Sequence, residues 1–336
     1  MKMEQNSDKN FAKNFDVLGI GNAIVDILSF TSDEFLTQNS LSKGGMMLVD
    51  EAAAGTLYAK LGQTTECSGG SCANTLAGLA SLGAKTAFIG KVKRDQLGAI
   101  FTHDLHAAGV YFASKPSEEG AATAHCMICV TPDAQRTMVT YLGACGLVSE
   151  LDNDADLIAR SNILYIEGYL WDAPEAKAAI RASIALAKQY GKKVAFTLSD
   201  TFCVHRHRAE FLELIARGDI DILFANEAEI KALYETEDFD NAIASIRGKL
   251  PIAAVTRSEK GSVVVTEQMV EIAQTSHIHN VVDTTGAGDL YASGFLFGIS
   301  RGWDMLSCAK LGNSCAGEII TQLGARSQKP LDSLVA

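Results

Sequence analysis

The segment Asp283-Thr284-Thr285-Gly286-Ala287-Gly288-Asp289 holds the residue types best suited to chemistry, and an apolar run, Leu290 to Ser300, follows it at once. Glycine lets the backbone approach a ligand closely and adopt dihedrals that other residues avoid. A glycine-rich turn feeding a helix presents unbonded N–H groups at the positive end of the helix dipole, which makes an anion site without side-chain charge. Gly302 is placed to end that helix. Asp289 falls in its first turn, beside the anion, where a carboxylate can accept a proton from an attacking hydroxyl. An acid there also stabilises the helix dipole, so spacing alone leaves both roles open.

Other spacings approach known motifs without completing them. Gly19-x-Gly21 follows an apolar strand, but Ile24 stands where a dinucleotide fingerprint needs its third glycine. Gly83 to Gly90 with Lys91 has the wrong spacing for a P-loop, and Val92 replaces the hydroxyl residue that would meet the metal. His205-x-His207 and His277-x-His279 lack a third ligand placed by sequence and read as surface or loop histidines. Cys126-x-x-Cys129 lies in a β-branched, apolar stretch, Ala124 to Thr131. On a strand, residues three apart face opposite sides, so these read as buried strand cysteines.

The elements that must position Asp289 follow from the alternation of short apolar runs with longer helical patterns. Strands are expected at Asp16–Ile20, Thr86–Ile89, Ile163–Ile166, Lys193–Thr197, Ile220–Phe224, Ala253–Thr256 and Ser262–Thr266. Helices are expected at Asn74–Leu82, Leu97–Ala108, Pro174–Tyr190, Ala209–Ala216, Glu227–Tyr234, Asn241–Lys249, Gly288–Ser300 and Met305–Thr321. This order predicts an α/β fold in three layers, a mostly parallel sheet with helices on both faces. Two stretches, 28–50 and 110–144, break the rhythm and show no convincing helix. Their simplest joint home is a small β-sheet lid. The large α/β domain then comprises 15–27, 51–109 and 145–328, and Met1–Asn14 reads as a polar tail.

Composition narrows the classes. Net charge is −11, and 47% of the 336 residues are hydrophobic, enough for a sizeable core. Nucleic-acid binding leaves a basic footprint, and none is visible. No apolar run reaches membrane-spanning length, and the N-terminal stretch lacks a secretory pattern. The eight cysteines are scattered, as in a chain kept reduced. These features read as a cytoplasmic protein that contacts neither membrane nor nucleic acid, monomeric or homodimeric.

The residues Asp283 to Leu296, DTTGAGDLYASGFL, resemble the C-terminal signature of the PfkB, or ribokinase-like, family of carbohydrate and nucleoside kinases. Ser68-Gly69-Gly70-Ser71-Cys72-Ala73-Asn74 is similar to the family's N-terminal G-G-x-x-x-N element, and Asn226-Glu227-Ala228-Glu229 to its N-x-x-E motif. The three occur in the family's order, and the resemblance spans about Phe15 to Gln328. It implies a ribokinase-like fold and ATP as phosphate donor. Asp289 would be the base, and the Gly286-Ala287-Gly288 backbone the anion hole for the moving phosphoryl group. Gly69, Gly70, Asn74, Asn22 and Asp26 would hold the acceptor, with Arg136 on the lid as a cation near the phosphates. Asn226 and Glu229 would organise Mg²⁺ through water. Asp283, with the loop from Gly324 to Ser327, matches a region that binds a monovalent cation, such as K⁺, in some members. Thr256, Ser258, Gly261, Thr285 and Asn313 would face the nucleotide, although Ser258 replaces a glycine of the family's T-x-G-x-x-G.

Gly21-Asn22-Ala23-Ile24-Val25-Asp26-Ile27 resembles the adenosine kinase branch, as does Leu198-Ser199-Asp200-Thr201-Phe202. Phe202, Tyr169 and Trp171 would supply aromatic faces for a purine. The expected acceptor is therefore a nucleoside, most simply adenosine. A sugar kinase acting on ribose, fructose or a keto-deoxy sugar acid is the alternative within the family. An inactive nucleotide-binding regulator is the alternative outside it, and the intact Asp289 with its glycine turn argues against that.

Overall fold

The computed structural model describes residues 14–133 and 135–335. Apart from Asn14, the polar segment Met1–Asn14 lies outside them. The strands in chain order are β1 (Phe15–Ile20), β2 (Ile24–Phe30), β3 (Met46–Leu48), β4 (Thr64–Ser68), β5 (Thr86–Ile89), β6 (Tyr111–Phe112) and β7 (Ala124–Val130). They continue with β8 (Arg136–Tyr141), β9 (Ser161–Glu167), β10 (Lys193–Thr197), β11 (Ile222–Asn226), β12 (Ile252–Thr256), β13 (Ser262–Val265) and β14 (Val270–Ala273). The first helices are α1 (Asp33–Gln38), α2 (Glu51–Tyr58), α3 (Ser71–Ser81), α4 (Gln96–Ala107), α5 (Ala155–Ala159) and α6 (Pro174–Gln189). The remainder are α7 (Thr201–Ala216), α8 (Glu227–Leu233), α9 (Phe239–Ile246), α10 (Ala287–Ser300) and α11 (Met305–Ile319).

The large sheet runs β14-β13-β12-β11-β10-β9-β1-β5-β6. It is parallel from β6 through β12 and antiparallel at β13 and β14. Alternate residues on each strand face opposite layers. Leu164, Ile166, Phe196 and Leu223 pack toward Ile180, Phe211 and Ile230 of α6, α7 and α8. Ile163, Tyr165, Ile222 and Phe224 pack toward Leu76, Leu290 and Phe295 of α3 and α10. Both faces are thus covered, which is why the central strands read as continuous apolar runs. This is the expected three-layer α/β architecture, with helices on both faces of the sheet.

The small sheet runs β3-β8-β7-β2-β4. Its strands lie in 24–30, 46–48, 64–68, 124–130 and 136–141. Ile24–Ile27 and Thr64–Ser68, which the sequence reading placed with the large domain, therefore pair in the small sheet. Tyr111–Phe112, placed with the lid, pairs with β5 in the large sheet. The stretch 28–50, expected to be free of helix, contains α1. That helix is six residues long with one buried residue, Leu36, too short to show an apolar period.

Helix α7, expected from Ala209, begins at Thr201, where the side chain of Asp200 accepts the Cys203 N–H. The polar run His205-Arg206-His207-Arg208 hid its first two turns. Neither histidine pair joins a cluster of three or more His, Cys, Asp or Glu side chains that could hold a metal among the described residues. His207 instead lies 2.7 Å from the Asp172 carboxylate. Cys126 and Cys129 are buried, unbridged thiols.

Candidate active site

Two helices that meet at Asp289 begin in the same unusual way. Gly70 precedes α3 with φ +89°, and Gly286 precedes α10 with φ +76°. Neither helix has a side-chain cap, whereas α1, α2, α4, α7 and α11 are capped by Ser or Asp. A β-carbon at Gly70 would meet the Asn22 carbonyl, and one at Gly286 would meet Ala325. Glycine is thus required for backbone angle and for space. In the first turn of α10 the Ala287 N–H bonds the Thr284 carbonyl at 3.3 Å, and the Gly288 and Asp289 N–H groups have no helical acceptor, the arrangement that suits an anion.

Asp289 is held from α3. Ser71 donates its hydroxyl to Oδ1 at 2.6 Å, and Asn74 donates Nδ2–H to Oδ2 at 3.1 Å. Burial raises the Asp289 pKa, while the Ser71 and Asn74 bonds and the Arg326 charge pull it back. The result is an oriented carboxylate that still binds a proton more readily than an exposed one.

Beneath this pair lies Glu167, the last residue of β9 and fully buried. Its Oε1 accepts the Asn22 backbone N–H at 2.8 Å and Asn22 Nδ2–H at 2.6 Å, and its Oε2 accepts the Cys72 N–H at 2.8 Å. Burial pushes its pKa up to about 7 against those bonds. Glu167 ties the exit of β1 to the start of α3. The one signal for it in the sequence is an acid closing an otherwise apolar strand.

Two clefts share the signature loop. One, about 780 Å³, opens at the carboxyl ends of β10, β11 and β12 and is lined by Asn226, Glu229, Thr256, Ser258, Gly261 and Asn313, with Ala287 to Asp289. Ligands of open α/β sheets bind at such strand ends. Ser258 adopts φ +51°, a left-handed conformation at the position where a glycine is usual. Asn313 also donates to the Ala273 carbonyl at 2.9 Å.

The other cleft, about 760 Å³, lies between the small sheet and α3, α4 and the C-terminal loop. Asp26, Asn74, Arg136, Asp283, Thr285 and Arg326 line it. Burial pushes the Asp26 pKa up to about 7, opposed by Arg326 and reinforced by Asp289. Thr285, expected on the nucleotide side, faces this second cleft, and Thr284 faces the first. The reason is local: the Thr285 N–H is drawn to Asp283 Oδ1 at 2.6 Å.

Several expected contacts fall elsewhere. Asn22 uses its amide on Glu167 rather than facing a cleft. Phe202 is 55% exposed, with Arg206 stacked 4.0 Å from its ring centroid. Trp171 is core, packed against Phe196 and Phe211. Tyr169 bonds Ser199 through its backbone N–H and its hydroxyl. None of the three aromatics lines either cleft, and no aromatic side chain lines the second among the described residues. The aromatic faces expected for a purine from Phe202, Tyr169 and Trp171 therefore do not reach either cleft. Arg136 and Arg326, of which only the first was expected, supply the charge.

The metal expectations divide. Asn226 and Glu229 form a capping box, each bonding the other's backbone N–H, with Asn226 Nδ2–H also donating to Glu229 Oε1. Burial pushes the Glu229 pKa up to about 7. Both line the first cleft, so they fit Mg²⁺ only through bridging water, as Mg²⁺ commonly prefers. Asp283 does not fit a monovalent cation in this arrangement. Its oxygens accept the Thr285 and Gly324 N–H groups, and the positive charge against it is the Arg136 guanidinium.

The family model for pfkB family carbohydrate kinases matches residues 46–332. The crystal structure of adenosine kinase from Sinorhizobium meliloti is 51% identical, with 96% of this chain and 98% of that one covered and a TM-score of 0.91. A probable sugar kinase from Rhizobium etli is 48% identical, with coverages of 96% and 97% and a TM-score of 0.91. Adenosine kinase from Saccharomyces cerevisiae is 25% identical over 91% of this chain and 94% of its own length. No helix among the described residues is long and apolar enough to cross a membrane.

Proposed function

Because the chain belongs to the PfkB carbohydrate kinase family, an ATP-dependent group that phosphorylates alcohols, we propose that it transfers the γ-phosphoryl group of ATP to the 5′-hydroxymethyl of a nucleoside, adenosine giving AMP. The observation that carries the nucleoside is the 51% identity, over nearly the full length, to the Sinorhizobium adenosine kinase. The Asn22 to Asp26 spacing adds to it, with Asp26 facing the second cleft.

In this reading the first cleft holds ATP and the second the acceptor. Phosphoryl transfer needs alignment, charge neutralisation and a proton acceptor more than covalent chemistry from the protein. The acceptor O–H gives its proton to Asp289 as its oxygen bonds the γ-phosphorus. The bond from that phosphorus to the bridging oxygen breaks, and ADP leaves with the electron pair. The first-turn N–H groups of α10 stabilise the charge on the equatorial oxygens. Mg²⁺, held through water by Asn226 and Glu229, would neutralise phosphate charge. Closure of the small sheet over the acceptor would exclude water, the competing nucleophile.

A second reading, a sugar kinase, is favoured by two observations: the acceptor cleft has no aromatic lining, and the Rhizobium relative is 48% identical. A coupled ADP-release assay over adenosine, inosine, guanosine, ribose, fructose and ketodeoxygluconate decides between them. The nucleoside reading expects kcat/KM for adenosine at least ~100-fold above any free sugar, a gap of about 2.7 kcal/mol. A free sugar leading the panel overturns it.

A further inference from the structure

Arg326 belongs to none of the three motifs, yet it reaches the base in two steps. It leaves the loop after α11, and its Nε–H donates to Oδ1 of Asn74 at 3.2 Å. Asn74 donates Nδ2–H to Asp289 Oδ2 at 3.1 Å, and Ser71 fills Oδ1. A guanidinium carries donors only, whereas an amide has one accepting end and one donating end. Arg326 therefore obliges Asn74 to turn its oxygen toward the guanidinium, which leaves the NH₂ group for Asp289. With the amide free to turn, its oxygen could lie against the carboxylate, an arrangement that favours a protonated Asp289 unable to act as base.

We propose that Arg326 is a positioning residue for the base: through the amide of Asn74 it holds Asp289 in the hydrogen-bonded, proton-accepting state. The inference rests on the kinase reading for its catalytic consequence. Among the described residues Arg326 Nη2 is buried without a hydrogen-bond partner, so a full set of structural bonds does not explain the guanidinium. The charge environment points the same way. Asp26 on β2, Glu167 and Tyr165 on β9, Tyr169 beyond β9 and Cys72 on α3 are all close enough for the Asp289 charge to raise their pKa values. Each is neutral or negative. Among the described residues, the cation that lowers the Asp289 pKa is Arg326.

The test compares Arg326→Met and Arg326→Lys with the wild type in two measurements. The first is the pH profile of kcat. The methionine variant should lose about 10- to 100-fold at neutral pH and regain activity as pH rises, its acid limb displaced upward by about one to two pH units. The lysine variant should keep the limb near the wild-type position. A loss by the same factor at every pH, or full activity, overturns the proposal. The second is a ¹³C carboxylate NMR titration of aspartate-labelled protein, with the Asp289 resonance assigned by its absence in Asp289→Asn. Asp289 should titrate higher in the methionine variant, and an unchanged titration overturns the proposal. Because NMR needs no turnover, a wild type inert toward every acceptor would sink the kinase reading while the titration still decides the role of Arg326. If the methionine variant does not fold, Arg326→Gln serves in both measurements: glutamine can offer Asn74 either end of its amide and so leaves its orientation unfixed.

Discussion

Ser71, the first residue of α3, donates its hydroxyl to Oδ1 of Asp289 in the first turn of α10 across 2.6 Å. One bond thus joins the N-terminal glycine motif to the C-terminal signature, 218 residues apart in sequence. A hydrogen bond to a charged group contributes roughly 1.5–3 kcal/mol. Ser71→Ala should therefore lower kcat by about tenfold or somewhat more and raise the pH at which the acid limb of the profile falls. Steady-state kinetics from pH 5 to 9 check this. An unmoved limb with normal kcat would show that the bond is only structural.

Arg136 on β8 and Asp283 before α10 form an ion pair between the small sheet and the signature loop, with the Asp283 side chain 2% exposed. Arg136→Ala leaves that carboxylate without its charge partner. The expected outcome is a raised acceptor KM and faster hydrogen exchange across 124–130 and 136–141. In the wild type, bound acceptor should slow exchange in 28–50 and 110–144. Exchange indifferent to both ligand and mutation would remove the lid from the account.

Glu229→Gln keeps one oxygen to accept the Asn226 N–H of the capping box and gives up the acceptor for Asn226 Nδ2–H. Its melting temperature should stay within a few degrees of wild type. If the carboxylate reaches Mg²⁺ through water, the Mg²⁺ concentration for half activity should rise severalfold. A wild-type Mg²⁺ titration would leave Glu229 as a helix cap alone.

Glu167 shapes the pH dependence of stability. Its carboxyl ionises near 4 when unfolded and about 7 when folded. Between those values the folded state holds more protons, so this group's stabilising contribution is complete below about pH 4 and is lost as pH rises through about 7. Glu167→Gln should flatten the fall in melting temperature between pH 5 and 8. It should also raise acceptor KM, since Glu167 holds the Asn22 and Cys72 N–H groups. A slope identical to wild type would contradict the burial assigned to this carboxyl.

The large sheet and its two helical layers were legible because Leu164, Ile166, Phe196 and their neighbours lie in apolar runs separated by helical periods. Asp289 and the Gly286–Gly288 turn were legible because an uncapped helix start with Gly286 in the left-handed region demands glycine at that place in the sequence. What stayed hidden was long-range. Arg326 and Glu167 matter through Asn74, Asn22 and Cys72, partners that only the fold brings near. Trp171 illustrates the reverse error. Its place after a strand suggested a ligand platform, but its ring fills the core between Phe196 and Phe211. Short or edge elements such as α1 and β14 bury too little to leave a period in the sequence.

Asp289→Asn tests the central claim most directly when kcat and melting temperature are measured on one preparation. The substitution keeps the shape of the side chain and removes the proton acceptor. General-base catalysis contributes ~10²–10⁴-fold, so kcat should fall by that much while acceptor KM changes far less. Because burial raises the Asp289 pKa, the ionised group does not stabilise the fold, and the melting temperature at pH 8 should hold or rise. An acid present only for the helix dipole predicts the opposite pair: a stability loss of roughly 0.3–1 kcal/mol with near-normal turnover. A variant that melts lower yet retains more than about a tenth of the wild-type kcat would contradict Asp289 as the base.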